Sequence, residues 1–180
     1  MSIAREPEAQ ELTVRDFRPA DWPPVWALIR EVLDEGDTYA YDPGMTESEA
    51  HAMWVERPPG RTVVVVDGRR LVGTAKMGPN RPGPGSHVAT ASFMVAADIR
   101  GRGVGRALCE DALAWARASG YAGMQFNAVA ETNVAAVGLY ERLGFTIIGT
   151  VPGAFEHPTK GRVGLHIMYC PFGERPARLP

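Results

Sequence analysis

The arrangement of apolar and polar positions along the chain divides it into short alternating elements. Thr62 to Val66 is β-branched throughout, Asp67-Gly68 is a turn pair and Leu71 to Lys76 completes a pattern that predicts a hairpin. Ahead of it, Thr13 to Phe17 reads as a short strand. Val25, Leu28, Ile29, Val32 and Leu33 then recur at the spacing that places them on one helical stripe. Asp21 stands where this helix needs an N-cap, and Pro23 and Pro24 fall in its first turn, where a missing N–H costs nothing. Asp34 to Met45 is acidic, aromatic and interrupted by Gly and Pro, so it predicts a surface loop placed to close over a substrate. Thr46 followed by Glu49 fits a capping box and opens a second helix to about Arg57.

Gly78 to Ser86 predicts another loop, and His87 to Val95 a strand that runs into an Arg/Gly segment at 100–106. A helix is expected from Val104 to Ala118, a strand over Met124 to Val129, a helix from Asn133 to Gly144, and two final strands over Phe145 to Val151 and Val163 to Tyr169. The first ten residues read as a solvated tail, and Pro171 to Pro180 is too rich in Pro and Arg to continue a strand. No internal repeat or interdomain linker interrupts the alternation, so residues 1–180 read as a single domain with its core over about 12–170.

Composition narrows the function classes. The 180 residues carry 19 Lys+Arg against 21 Asp+Glu, a formal charge of -2, which gives no cationic excess for nucleic acid or an anionic membrane. No apolar run approaches the ~18 residues that span a bilayer, and the charged beginning does not read as a signal peptide, so a cytoplasmic protein is expected. Cys109 and Cys170 lack Cys-x-x-Cys spacing, and no His/Cys set offers zinc ligands; two reduced thiols and no metal are the expectation.

The segment Arg100-Gly101-Arg102-Gly103-Val104-Gly105-Arg106, between a strand and an amphipathic helix, carries the clearest chemistry. A helix N-terminus presents unpaired N–H groups and a positive dipole end, and glycines let that backbone approach an anion closely. A P-loop would need a lysine, and the segment has none. A dinucleotide fingerprint would need a third glycine where Arg106 stands. A turn needed only for a tight strand-to-helix connection is the plain structural alternative.

The spacing Arg100-x-x-Gly103-x-Gly105 resembles the acyl-CoA-binding signature of the GCN5-related N-acetyltransferase (GNAT) superfamily. Farther on, Asn133, Ala136, Leu139, Tyr140, Gly144 and Phe145 resemble its second, Asn-x-x-Ala-x-x-Leu-Tyr-x-x-x-Gly-Phe motif. The resemblance implies an α/β (α+β) fold, a mixed, mostly antiparallel central sheet of about seven strands flanked by about four helices. It implies acetyl-CoA as cosubstrate, held by backbone groups of Met94 and Val95 and by Arg100, Gly101, Arg102, Gly103, Val104, Gly105, Arg106, Asn133, Ala136 and Tyr140.

Asn133 reads both as a helix cap and as a ligand contact, and Tyr140, seven residues later, lies two turns along the same face. Tyr140 is the expected proton donor to the departing thiolate, a phenol being protonated at neutral pH. Glu131, His87 and the loop acids Glu35 and Asp37 are candidates for the base, as is a water relay. His87 has a plain alternative as a polar loop residue. Trp54, on the second helix, is expected to border the acceptor.

For the acceptor, Glu35, Tyr39 and Asn127 are the candidate binding residues. The segments Pro79 to Gly83, Ser86 to Val88 and Phe126 to Val129, with Ile148-Gly149 and Val151-Pro152, resemble the branch that acetylates proline analogues such as azetidine-2-carboxylate. Other small amines, a protein or peptide N-terminus, and a non-catalytic acyl-CoA sensor stay open at this point. Dimers are common in the superfamily, so a homodimer is compatible with the resemblance.

Overall fold

A computed structural model of the chain describes residues 12–173; the expected tail over the first ten residues and the stretch from 174 onward lie outside the described residues. The elements are β1 (Leu12–Asp16), α1 (Trp22–Glu35), α2 (Glu47–Trp54), β2 (Arg61–Asp67), β3 (Arg70–Pro79), β4 (Val88–Val95), α3 (Val104–Ala118), β5 (Gly123–Ala130), α4 (Val134–Arg142), β6 (Thr146–His157) and β7 (Gly161–Pro171). They form one seven-stranded sheet in the order β1-β2-β3-β4-β5-β7-β6. Every neighbouring pair is antiparallel except β4 and β5. This is the mixed sheet with four helices that the resemblance implied.

Several elements differ from the expectation for identifiable reasons. Asp21 does not cap α1. It closes a single 3-10 turn and directs its carboxylate to the Arg15 guanidinium, at 2.7 Å from both nitrogens, and to the Arg18 N–H at 2.7 Å. A bidentate charge-assisted pair is stronger than a neutral cap. The loop after α1 begins at Gly36, which takes the left-handed φ of 63° that ends the helix, so Asp34 and Glu35 are helical. The Thr46/Glu49 capping box forms on both sides, at 3.3 and 2.9 Å, but α2 stops at Trp54, where Val55 turns extended toward the Pro58-Pro59 pair.

Gly78 and Pro79 read as loop residues yet stay in β3, because pairing with Thr90 and Ala89 of β4 continues to the strand's end. The last two strands also outrun their expected limits, as two irregularities in β6, one at Ile148 and one over Pro152 to Ala154, let the pairing continue, and β7 runs on through Pro171.

Adjacent residues of β3 show how the layers are built. A Cβ on Gly73 would fall 2.7 Å from Val104 of α3, while the next side chain, Thr74, takes the indole N–H of Trp54 from α2 at 3.0 Å. Successive strand residues point to opposite faces, so α3 covers one face and α2 the other, with α1 beside α2 and α4 beside α3. Trp54, Ile29, Met77, Met94, Leu108 and Met124 are buried completely or nearly so between these layers. Each large apolar side chain taken from water contributes roughly 1.5–3 kcal/mol. Trp54 is therefore core and does not border an acceptor site. Among the described residues no helix is long and apolar enough to cross a membrane.

Only Val88↔Gly123 and Ala89↔Met124 pair β4 with β5. Beyond them the strands part, and aromatic rings occupy the angle. Phe93 of β4 meets Phe126 of β5 edge-on at 5.7 Å, and Phe126 stacks on Phe145 at 4.2 Å. The sheet is thus split at its centre, and the split opens toward the start of α3.

Candidate active site

The first intrahelical hydrogen bond of α3 runs from Ala107 N–H to Gly103 C=O at 2.9 Å, which leaves the N–H groups of Gly103, Val104, Gly105 and Arg106 without partners inside the helix. Gly101 and Gly103 hold φ of 82° and 87°, a backbone region side chains disfavour, and an added Cβ at either would meet nothing within 4 Å. The turn is therefore open to solvent and presents backbone donors at a positive dipole end, suited to a phosphate group. Val104 is buried and anchors the helix below this surface.

The three arginines of this segment are not equivalent. Arg100 is ion-paired with Glu35, and Arg106 holds Glu110 one turn on at 2.8 Å. Arg102 forms no ion pair among the described residues, so it offers its full charge to an anion. Glu35, expected as an acceptor ligand or base, instead fastens the end of α1 to the cradle. Two residues away, Asp37 keeps one carboxylate oxygen buried with no hydrogen-bond partner among the described residues.

Along β4 the backbone alternates in what it faces. Ala96 N–H bonds to Val72 C=O of β3 at 3.0 Å, whereas Phe93 N–H and C=O turn the other way, into the split. By the same alternation the polar backbone groups of Val95 face the split and those of Met94 face β3. Of the two residues expected to pair with pantetheine, only Val95 offers free backbone there; Phe93 is its companion. The hydroxyl of Tyr39 lies on that companion, donating to Phe93 C=O at 2.5 Å and accepting from Phe93 N–H at 3.0 Å.

Tyr140 comes to the same place from the other side. Its ring sits among Phe126 at 4.6 Å, Phe145 at 5.9 Å and Phe93 at 6.1 Å, and its hydroxyl forms no hydrogen bond among the described residues. Burial pushes its phenol well above the ordinary value, reinforced by the neighbouring Cys109 thiol, itself pushed up by burial. Burial raises Tyr39 as well, and the nearness of Tyr140 adds to it. Two phenols from opposite faces thus converge on the split.

The remaining candidates separate. Asn133 caps α4 through Ala136 N–H at 3.2 Å, so its oxygen is engaged, while its amide N–H groups form no hydrogen bond among the described residues. Glu131 accepts from Gly164 N–H at 2.5 Å, tied to β7 at the lip of the split. His87 is exposed, bonded to Pro84 C=O at 3.0 Å, at the closed end of β4. Val95 is eight residue steps farther on, about 26 Å along an extended strand, so His87 is far from the cradle end of β4.

Asn127 donates to Asn80 at 2.7 Å and accepts from Gln125 at 2.8 Å, a polar cluster on the outer part of β5. Phe93 escaped the sequence reading, because its role depends on strand-pairing parity, which no residue type announces. Asn80 entered that reading only within the Pro79 to Gly83 segment, and its partner Asn127 is visible only in the fold.

Comparison with known proteins completes the picture. The acetyltransferase (GNAT) family model matches residues 26–145. N-acetyltransferase aca1 of Schizosaccharomyces pombe is 30% identical over 142 residues, 71% of this chain and 68% of that protein. A GCN5-related N-acetyltransferase structure from Kribbella flavida is 55% identical, with a TM-score of 0.88 over 93% of this chain and 100% of that one. A phosphinothricin acetyltransferase from Sinorhizobium meliloti, solved in complex with acetyl-CoA, shares 22% identity and the fold, with a TM-score of 0.82 over 94% of this chain and 92% of that one. A split sheet, an anion-facing helix start and these matches have one common explanation: the chain belongs to the GNAT family of N-acetyltransferases.

Proposed function

We propose that this N-acetyltransferase moves the acetyl group of acetyl-CoA directly to the amine of a small, amino-acid-like molecule, with a cyclic secondary amine of the azetidine-2-carboxylate type as one candidate. The observation that carries the cosubstrate is the continuity of the split with the cradle. An extended thioester arm lying on β4 beside Val95 places its pyrophosphate against the amides of Gly103 to Arg106. The S. meliloti relative, solved with acetyl-CoA, supports the same choice.

The acceptor lies between the 34–45 loop and the polar cluster around Asn127. One carboxylate oxygen of the half-buried Asp37 has no hydrogen-bond partner among the described residues, so it is available to accept an N–H of the incoming amine. A site built of such groups rejects molecules that leave them unpaired.

In the reaction the neutral amine nitrogen attacks the thioester carbonyl carbon. A backbone N–H of β4 facing the split, at Phe93 or Val95, donates to the developing oxyanion. As the C–S bond breaks, Tyr140 gives its proton to the sulfur. Burial holds the phenol above its ordinary value, so it is protonated and available as a donor across the neutral range. The amine's proton leaves to Glu131 or through water to solvent, and Tyr140 regains its own from solvent.

The test is acceptor-dependent thiol release from acetyl-CoA across a panel of proline analogues, free amino acids, amino-acid-like antibiotics and short peptides. Turnover is expected with the small amines. Efficient acetylation of peptides, with none of free amino acids and their analogues, would overturn the acceptor assignment.

A further inference from the structure

The hydroxyl of Tyr39 occupies one inner pair of β4 backbone groups, those of Phe93, that the split would otherwise leave open. It donates to Phe93 C=O at 2.5 Å and accepts from Phe93 N–H at 3.0 Å, so a single side-chain oxygen does for Phe93 what a neighbouring strand does elsewhere in the sheet. The arrangement is built: the ring stacks on Tyr41 at 5.2 Å and an interplanar angle of 21°, and the loop leaves α1 through Gly36, at a left-handed φ of 63°. Behind Gly36, the Glu35–Arg100 ion pair fixes the end of α1 to the cradle. Val95, two residues nearer α3, has no such side-chain partner among the described residues.

We propose that Tyr39 is a placeholder for the cosubstrate on β4, its hydroxyl leaving Phe93 when the acyl end of acetyl-CoA takes that backbone pair. This rests on acetyl-CoA being the cosubstrate, as proposed above. The nucleotide end meets only the α3 cradle and encounters no competitor. The thioester end reaches Phe93 only by displacing a phenol that already satisfies both of its polar groups, and then receives Phe93 N–H as its oxyanion donor. The displaced loop swings about Gly36 and carries Asp37 with it, so the acceptor site takes its final form only after acetyl-CoA is in place. Binding is therefore ordered, acetyl-CoA before amine.

The consequence is an unusual sign. Removing the Tyr39 hydroxyl removes a competitor, so Tyr39→Phe binds acetyl-CoA more tightly, by about tenfold if two ordinary hydrogen bonds are no longer exchanged. Calorimetry of wild type and Tyr39→Phe with acetyl-CoA and with 3′-phospho-ADP, which fills the cradle without an arm, tests this. The expected result is a Kd for acetyl-CoA lowered about tenfold in the variant, with the 3′-phospho-ADP value unchanged. Equal or weaker acetyl-CoA binding by the variant would overturn the placeholder, whereas a wild type that binds neither ligand would overturn the cosubstrate assignment instead.

Hydrogen exchange on the wild-type chain gives a readout independent of the variant's folding. Acetyl-CoA should lower protection of residues 36–45 and 3′-phospho-ADP should not. Protection unchanged or raised by acetyl-CoA would equally contradict the proposal.

Discussion

Gly105→Asp separates what the cradle does for the fold from what it does for the ligand, because the two effects have opposite signs. Gly105 is the second residue of α3, and a Cβ there would lie 3.7 Å from Leu139 Cδ2 and 3.9 Å from Val95 Cγ2, ordinary contact distances. The fold accepts the side chain. Replacing a helical glycine recovers part of its ~0.5–1 kcal/mol entropic cost, and a carboxylate in the first turn adds ~0.3–1 kcal/mol against the helix dipole. The variant should be more stable by about 0.5–1 kcal/mol, a rise of roughly 1–4 °C in Tm for a chain of this size. The same carboxylate stands between the cradle amides and Val95, where the pyrophosphate and the start of the arm must lie. Two like charges about 4 Å apart near a surface repel by roughly 4 kcal/mol, so acetyl-CoA affinity should fall by about 10²–10³-fold. Thermal melts and calorimetry on one preparation read both numbers. A variant that binds within about threefold of wild type, or that loses binding only together with stability, would refute the reasoning.

Three further outcomes follow from particular contacts. Arg102→Ala should weaken acetyl-CoA binding and flatten its salt dependence more than Arg106→Ala, since Arg106 already holds Glu110; calorimetry at two ionic strengths decides between them. Asn127→Ala should raise KM for the amine far more than KM for acetyl-CoA, measured by thiol release with each substrate varied in turn. Asp21 has a folded-state pKa below its unfolded value, chiefly through the Arg15 hydrogen bonds, so its contribution is fully present above about pH 4 and lost as pH falls through the folded value. Asp21→Asn should therefore cost about 2 kcal/mol in urea melts at pH 7, with the gap from wild type closing below pH 4.

What could be read in the sequence was whatever local chemistry decides. Helix α3 begins at Val104 and ends at Ala118 as expected, because Gly103 and Gly120 bound it and the apolar spacing between them is regular. The Thr46/Glu49 box formed because its two bonds join residues three apart. What escaped depends on partners far along the chain. Asp21 turned from capping to Arg15, β3 kept Gly78 and Pro79 because β4 lies beside them, and Trp54 went into the core through Thr74. In the site, the glycine turn and the Tyr140 helix announced themselves by spacing. That Phe93 and Val95, and not Met94, face the split follows from strand parity, and that His87 lies at the closed end follows from where β4 and β5 part.

The most direct test of the proposed chemistry is the single-turnover rate of acetyl transfer from prebound acetyl-CoA in wild type and Tyr140→Phe. The substitution keeps the ring against Phe126 and Phe93 and deletes a hydroxyl that forms no hydrogen bond among the described residues, so Tm and acetyl-CoA affinity should be unchanged. Positioned general acids contribute about 10²–10⁴-fold, and the single-turnover rate should fall by that factor. Because burial holds the phenol above its ordinary value, the wild-type rate should show no loss from Tyr140 ionisation anywhere below about pH 10. A Tyr140→Phe rate within about threefold of wild type, with binding intact, would contradict Tyr140 as the acid and make it a packing residue of the aromatic cluster.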